Sequence, residues 1–317
     1  MIFSWQAKQW RQLLDQYHQE RLPHALLLLG PAGLGKFTFA QELAQYLLCQ
    51  QPGDSMCGHC GECRLIMAGN HPDLLKIVPE EKASNIKIEQ IRQLIFTFNQ
   101  TAQRGGYQIA IIAPAQKLNQ AAANALLKII EEPMGKILFL LVSDQWGALP
   151  ATIISRCQQI KFTGTTESEG WLAEQLHNLN KEVDARLLLK ITEGAPLKAL
   201  SLAQNNYLML RDQVLNCLIS PTLNLVSQEA HLWLEAFISL VADILRIRMG
   251  VSAEFLVNHD KLSQLRQLTE SRSREALWAM FQKLNEARRL LANSQIHLNE
   301  TLLMESLLIH WELHSFR

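Results

Sequence analysis

The chain has 317 residues, enough for two or three domains; with 48% hydrophobic and 19% charged residues it is a folded protein and not a disordered one. Thirty Lys and Arg residues balance thirty Asp and Glu residues. That neutrality argues against a chain that binds nucleic acid with its whole surface, and leaves room only for a local basic patch.

The N-terminal MIFSWQAKQW lacks a basic start followed by a long apolar core, so no signal peptide is expected. The longest apolar runs, 25–29 and 137–142, are too short to span a bilayer. Strand-like runs fall at 25–29, 73–78, 108–113, 137–142 and 158–162. Helical patterns lie between them at 37–48, 88–101 and 119–132. This alternation predicts a parallel sheet with helices on both faces, and the unbroken apolar character of QIAIIA and KILFLLVS suits strands covered on both sides. After Phe162 the strands stop. The polar, glycine-flanked GTTESEG (164–170) reads as a linker. Short helices are expected at 171–179, 184–192 and 196–203, then longer ones carrying Trp233, Phe237, Leu240 and Ile244, then Leu277, Met280, Leu284 and Leu291, then Leu303, Leu307 and Trp311 at helical spacing. The expected organisation is an α/β domain over 1–163, a small helical domain over 164–207 and an all-α domain over 208–317. No internal repeat is visible.

The first motif follows the first strand. Gly30, Gly33, Gly35 and Lys36, in GPAGLGKF, match G-x-x-x-x-G-K and then fail. Glycines let backbone N–H groups turn toward phosphate oxygens, and a lysine there would meet the terminal phosphates. The next residue ordinarily gives a hydroxyl to Mg²⁺, but here it is Phe37; Thr38 is one residue late, about 100° round the helix. The strand that should end in a metal-holding acid runs into Ala113, Pro114, Ala115 and Gln116. With both magnesium elements missing, phosphate binding without hydrolysis is the expectation. The plain alternative is a glycine-rich turn that binds nothing.

The second motif is CQQPGDSMCGHCGEC. Four of the six cysteines, Cys49, Cys57, Cys60 and Cys63, fall here, a clustering that suits a metal in a reducing cytoplasm better than disulfides. Four thiolates fit a closed tetrahedral, structural Zn²⁺ site. His59 is a rival ligand, an iron–sulfur cluster or four free thiols are alternatives, and a DNA-binding finger is disfavoured because the stretch has no Lys or Arg.

Three further stretches, RLPHALLL (21–28), NQAAANALLKIIEEP (119–133) and ATIISRCQQIKF (151–162), complete a pattern. With the broken loop and the cysteine insertion, the chain resembles the delta-prime subunits of the bacterial DNA polymerase III clamp loader, within the AAA+ superfamily. The likeness covers about the first 200 residues by motif. It implies an AAA+ domain with a zinc module at 49–63, a small helical lid and a C-terminal collar domain. It implies a cytoplasmic subunit of the DNA-directed DNA polymerase (nucleotidyltransferase) holoenzyme, working with gamma/tau and delta subunits, the sliding clamp and primer-template DNA. Clamp loader subunits form a ring of five, in which an arginine of Ser-Arg-Cys touches ATP bound by the next subunit. Here that arginine is Arg156, between Ser155 and Cys157, so the chain would lack an ATPase yet assist a neighbour's, serving as a rigid stator; the plain alternative for Arg156 is a local salt bridge. An active gamma/tau-like ATPase is the alternative. The likeness further places 124–133 near the DNA path, with Lys128 facing outward. It sets His24 near the adenine pocket and Ser143 at the γ-phosphate sensor. A phosphate-sensing arginine of the ATPase subunits falls at Leu197, with Lys198 one position off.

Overall fold

The computed structural model describes residues 2–80, 83–100, 102–104, 106–133, 135–220, 230–291 and 299–313. The chain forms two compact units, one of residues 1–171 with 194–198, the other of 172–193 with 199–317.

Among its described residues the first unit holds the strands β1 (Ala25–Leu29), β2 (Leu74–Ile77), β3 (Gln108–Ile112), β4 (Ile137–Ser143) and β5 (Gln158–Lys161), and the helices α1 (Ala7–His18), α2 (Lys36–Leu48), α3 (Gly61–Met67), α4 (Ile88–Phe98), α5 (Gln120–Glu131) and α6 (Ala151–Ile154). The strands pair in the order β2-β3-β4-β1-β5, all parallel. Every residue of β1, β3 and β4 is buried, as a sheet covered on both faces requires. Alternate residues serve opposite cores. Leu26, Leu28, Ile111 and Leu140 pack with Phe39 and Leu43 of α2 and Leu13 of α1. Leu27, Leu29, Ile112 and Leu141 pack with Ile91 and Leu94 of α4 and Leu126 and Ile130 of α5. At about 1.5–3 kcal/mol per buried Leu or Ile, this double layer is the main stabilising element of the unit. Asn119 caps α5, its side chain accepting from the Ala122 amide at 2.8 Å. On α5 Leu126, Ile129 and Ile130 are buried and Leu127 is half-buried.

The 164–170 stretch is not a linker. Helix α7 (Thr166–Asn178) begins inside it, five residues before the expected start. Glu167 and Glu169 occupy its first turn, where the helix dipole favours acids. The expected helix end at Thr101 lies outside the described residues.

The second unit is helical: α8 (Ala185–Ile191), α10 (Tyr207–Ile219), α11 (Ala230–Arg248), α12 (Leu262–Glu270), α13 (Arg274–Leu291) and α14 (Glu300–Leu313), with α9 (Pro196–Gln204) divided between the units. Helix α11 is its centre, burying Trp233, Phe237, Leu240, Val241 and Ile244. Trp311 of α14 meets Phe237 edge-on at 5.8 Å and donates its indole N–H to the Leu218 carbonyl at 3.1 Å. Buried Asp243 accepts from the Asn258 amide at 2.6 Å and from the Asn258 side chain at 2.9 Å, which fixes the loop after α11. No strand occurs after β5 among the described residues.

Candidate functional site

The glycine-rich loop joins β1 to α2 at the carboxyl end of the sheet, beside β4 and β5. Three of its glycines make close approaches that a side chain would block. A Cβ on Gly30 would stand 2.4 Å from the Phe162 carbonyl oxygen, and one on Gly33 2.6 Å from Cβ of Lys198. One on Gly35 would stand 2.8 Å from the Phe3 ring. The N-terminal segment closes over the same loop: Trp5 Nε1 and Gln6 Nε2 donate to the Leu34 carbonyl at 3.1 and 2.8 Å. The Leu197 amide donates to the Gly33 carbonyl at 3.0 Å.

Lys36 starts α2 with a side chain only 2% exposed. Its Nζ donates to the carbonyls of Gly30 at 2.6 Å and Pro31 at 2.7 Å, and to Asp144 Oδ1 at 2.7 Å. An ammonium has three hydrogens, and these three acceptors engage all of them. Asp144 is a site residue that reading for an acid at the end of β3 missed; the carboxylate that reaches the loop comes from the end of β4. The general rule that ligands meet the carboxyl ends of parallel strands would have pointed to it. Gln116 helps to place Asp144 by accepting its amide at 3.3 Å. Ser143 is fully buried and donates to the Gln145 carbonyl at 3.0 Å. A cavity of about 480 Å³ opens at the loop, lined by Phe37, Val78, Ala113, Pro114, Val142 and Leu197 besides the Lys36–Asp144 pair. Its walls are thus mostly apolar, with one ion pair among them.

The four cysteines come together. Their sulfurs all lie within 4.8 Å of one another, with Cys49–Cys63 at 3.6 Å and Cys57–Cys63 at 3.9 Å. A tetrahedron of Zn–S bonds near 2.3 Å has edges of about 3.8 Å, so the set fits a metal ion of that kind. Cys60 is the N-cap of α3, and the amides of Cys63 and Gln50 bring its thiol down to about 6. The backbone amides of His59 and Cys60 lower the Cys57 thiol, while burial raises Cys63 to about 12. His59 is exposed, with Nδ1 2.9 Å from the Cys57 carbonyl, and stands outside the sulfur cluster. Glu62, between two of the cysteines, is buried and ties the module to the sheet. It accepts from Arg104 at 2.8 Å and meets His71 Nε2 at 3.1 Å. His71 Nδ1 accepts from the Asp73 amide at 3.1 Å, so Nε2 carries the proton that Glu62 receives.

Arg156 follows α6 and is 42% exposed. It pairs with Glu131 of α5 at 2.6 Å and donates to the Thr152 carbonyl at 3.2 Å. Cys157 beside it is buried, which drives its thiol up to about 12. His24 Nε2 donates to the Ile130 carbonyl at 2.9 Å, tying the start of β1 to the end of α5. Lys128 is exposed on α5.

Family models described as DNA polymerase III, delta subunit, and DNA polymerase III, delta subunit, C terminal, match residues 5–166 and 206–313. The DNA polymerase III subunit delta' of Pseudomonas aeruginosa is 35% identical over 98% of this chain and 97% of its own length. The chain belongs to the DNA polymerase III delta' family. The delta' subunit of Yersinia pestis is likewise 35% identical, over 98% of this chain and 95% of its own. A solved DNA polymerase III gamma subunit-related protein of Thermotoga maritima shares the fold of this delta' family member. It has a TM-score of 0.50 and 20% identity over 95% of this chain and 99% of that one. No helix among the described residues is long and apolar enough to cross a membrane.

Proposed function

We propose that this delta' family member is the stator subunit of a DNA polymerase III clamp loader, helping to place the sliding clamp on primer-template DNA in the cytoplasm. It hydrolyses no ATP of its own and lends Arg156 to the site of a neighbouring ATPase subunit. Its partners are the gamma/tau and delta subunits. Residues 1–163 form the AAA+ part with a structural zinc at 49–63, 164–207 the lid and 208–317 the collar part.

One observation carries the claim of no turnover: all three Lys36 hydrogens are engaged inside the protein, one by a carboxylate. Phosphoryl transfer needs that ammonium, plus a metal, on the phosphate oxygens. Phe37 supplies no hydroxyl for the metal. The Arg156 role is supported by its half-exposed guanidinium, since a planar, permanently charged fork suits phosphate oxygens.

The test has two arms. The isolated chain should release no phosphate from ATP above background. In a clamp loader reconstituted with gamma/tau and delta, Arg156→Ala should slow DNA-stimulated ATP hydrolysis. Steady turnover by the isolated chain would favour the alternative, a gamma/tau-like ATPase.

A further inference from the structure

Glu131 is the last residue of α5, and Glu132 follows it as the C-cap. Two acids there face the negative end of the helix dipole, so helix stability does not account for them. Nor does the ion pair with Arg156 hold the fold, since both partners are about two-fifths exposed, at 39% and 42%. Residues that break a local rule without a stabilising return mark functional positions.

The geometry around the pair is firm. Ile130 is buried and its carbonyl takes the His24 ring N–H, so the end of α5 is fastened to the loop-bearing strand β1. On the other side, buried Ile153 and Cys157 fix the backbone flanking Arg156. The guanidinium then bridges the two anchors: NH2 to Glu131 at 2.6 Å, NH1 to the Thr152 carbonyl at 3.2 Å and to Ser155 Oγ at 3.4 Å. A guanidinium has five N–H donors, so these contacts leave donors over for a second anion. A long, flexible side chain is thereby held in one rotamer before any phosphate meets it.

We infer that Glu131 is a positioning residue for Arg156, setting the guanidinium in advance for a phosphate bound by the adjoining subunit. This rests on the reading of Arg156 as the group given in trans. Without Glu131 the arginine must lose its rotamer freedom during the reaction, and the loss falls on kcat more than on KM.

The reconstituted clamp loader tests it. Glu131→Ala should lower kcat of DNA-stimulated ATP hydrolysis about fivefold, the scale of fixing one rotamer-rich side chain. It should slow an Arg156→Ala complex no further, and Glu131→Gln, which keeps an acceptor oxygen, should restore most of the rate. The melting temperature of the isolated chain should stay at the wild-type value in all three. A wild-type kcat for Glu131→Ala beside a slow Arg156→Ala overturns this inference alone. So does a further slowing when the two are combined. A wild-type rate for Arg156→Ala overturns the trans reading and this inference with it.

Discussion

Lys36 and Asp144 neutralise each other inside the glycine-rich loop, Nζ to Oδ1 at 2.7 Å, although 108 residues separate them. The lysine side chain is buried while the carboxylate keeps 36% exposure, and both line the cavity at the loop. A triphosphate entering here would meet a satisfied cation and an anion beside it. Lys36→Ala should therefore leave ATP hydrolysis by the reconstituted complex at the wild-type rate. It should destabilise the isolated chain by about 1–3 kcal/mol, because the Gly30 and Pro31 carbonyls lose their donor. Urea denaturation and steady-state phosphate release measure the two effects. A complex slowed tenfold by this change would show that the loop works on nucleotide after all.

Gly33 makes the loop's other dependence visible. Its φ is +89°, and an added Cβ would press on Lys198 Cβ at 2.6 Å and its amide nitrogen at 2.8 Å. Both the left-handed backbone and the contact oppose a side chain, at a cost of about 1–3 kcal/mol. Gly33→Ala should lower the unfolding free energy by that amount with ATP absent, read from the shift of the urea midpoint. Equal stability of variant and wild type would mean that α9 does not lean on the loop in solution.

The sheet was legible because its strands are unbroken apolar runs, and four of the five begin at the residue expected. Helix α10 was not, because its inward stripe of Tyr207, Val214, Leu215 and Leu218 is interrupted by buried Arg211, held by Asp260 at 2.6 Å. Helix α1 hid for a related reason: it fully buries only Leu13, with Trp10, Leu14 and Tyr17 partly covered. The cysteine cluster could be read from spacing alone, since its four sulfurs come from one short segment. The pairings of Asp144 with Lys36, Glu131 with Arg156 and Glu62 with Arg104 could not be read, because each joins separate elements of the chain, and no period or motif records such a meeting; a strand-end rule could single out Asp144 but not its partner.

Glu62 gives the chain a sensitivity to acid. Arg104 donates to its carboxylate and draws its pKa below the usual glutamate value, against the opposing effect of burial, with His71 adding to the lowering. A carboxyl group whose folded pKa is depressed contributes stability above its unfolded pKa and loses it as pH falls through the folded value. The contribution is therefore complete at neutral pH and fades below the ordinary glutamate value of 4.5. Glu62→Gln should lower the melting temperature at pH 7, and its melting should fall less steeply than wild type on acidification below that value. Parallel acid limbs in the two proteins would remove Glu62 as a source of the pH dependence.

The sulfur cluster makes the last prediction. With Cys60 brought to about 6 and Cys63 raised to about 12, one thiol is ionised at neutral pH while another holds its proton until a cation displaces it. Zinc binding must then release protons, so affinity should rise as the pH is raised from about 6 to 8. Purified chain should carry one zinc ion, and Cys63→Ser should carry none. Because Cys63 packs inside the module next to the Glu62 tie, stripping the metal with a chelator should also lower the melting temperature. Competition with a chromophoric chelator gives the affinity, and elemental analysis gives the stoichiometry. A pH-independent affinity, or zinc retained by Cys63→Ser, would take the buried sulfur out of the ligand set and bring His59 back as its replacement.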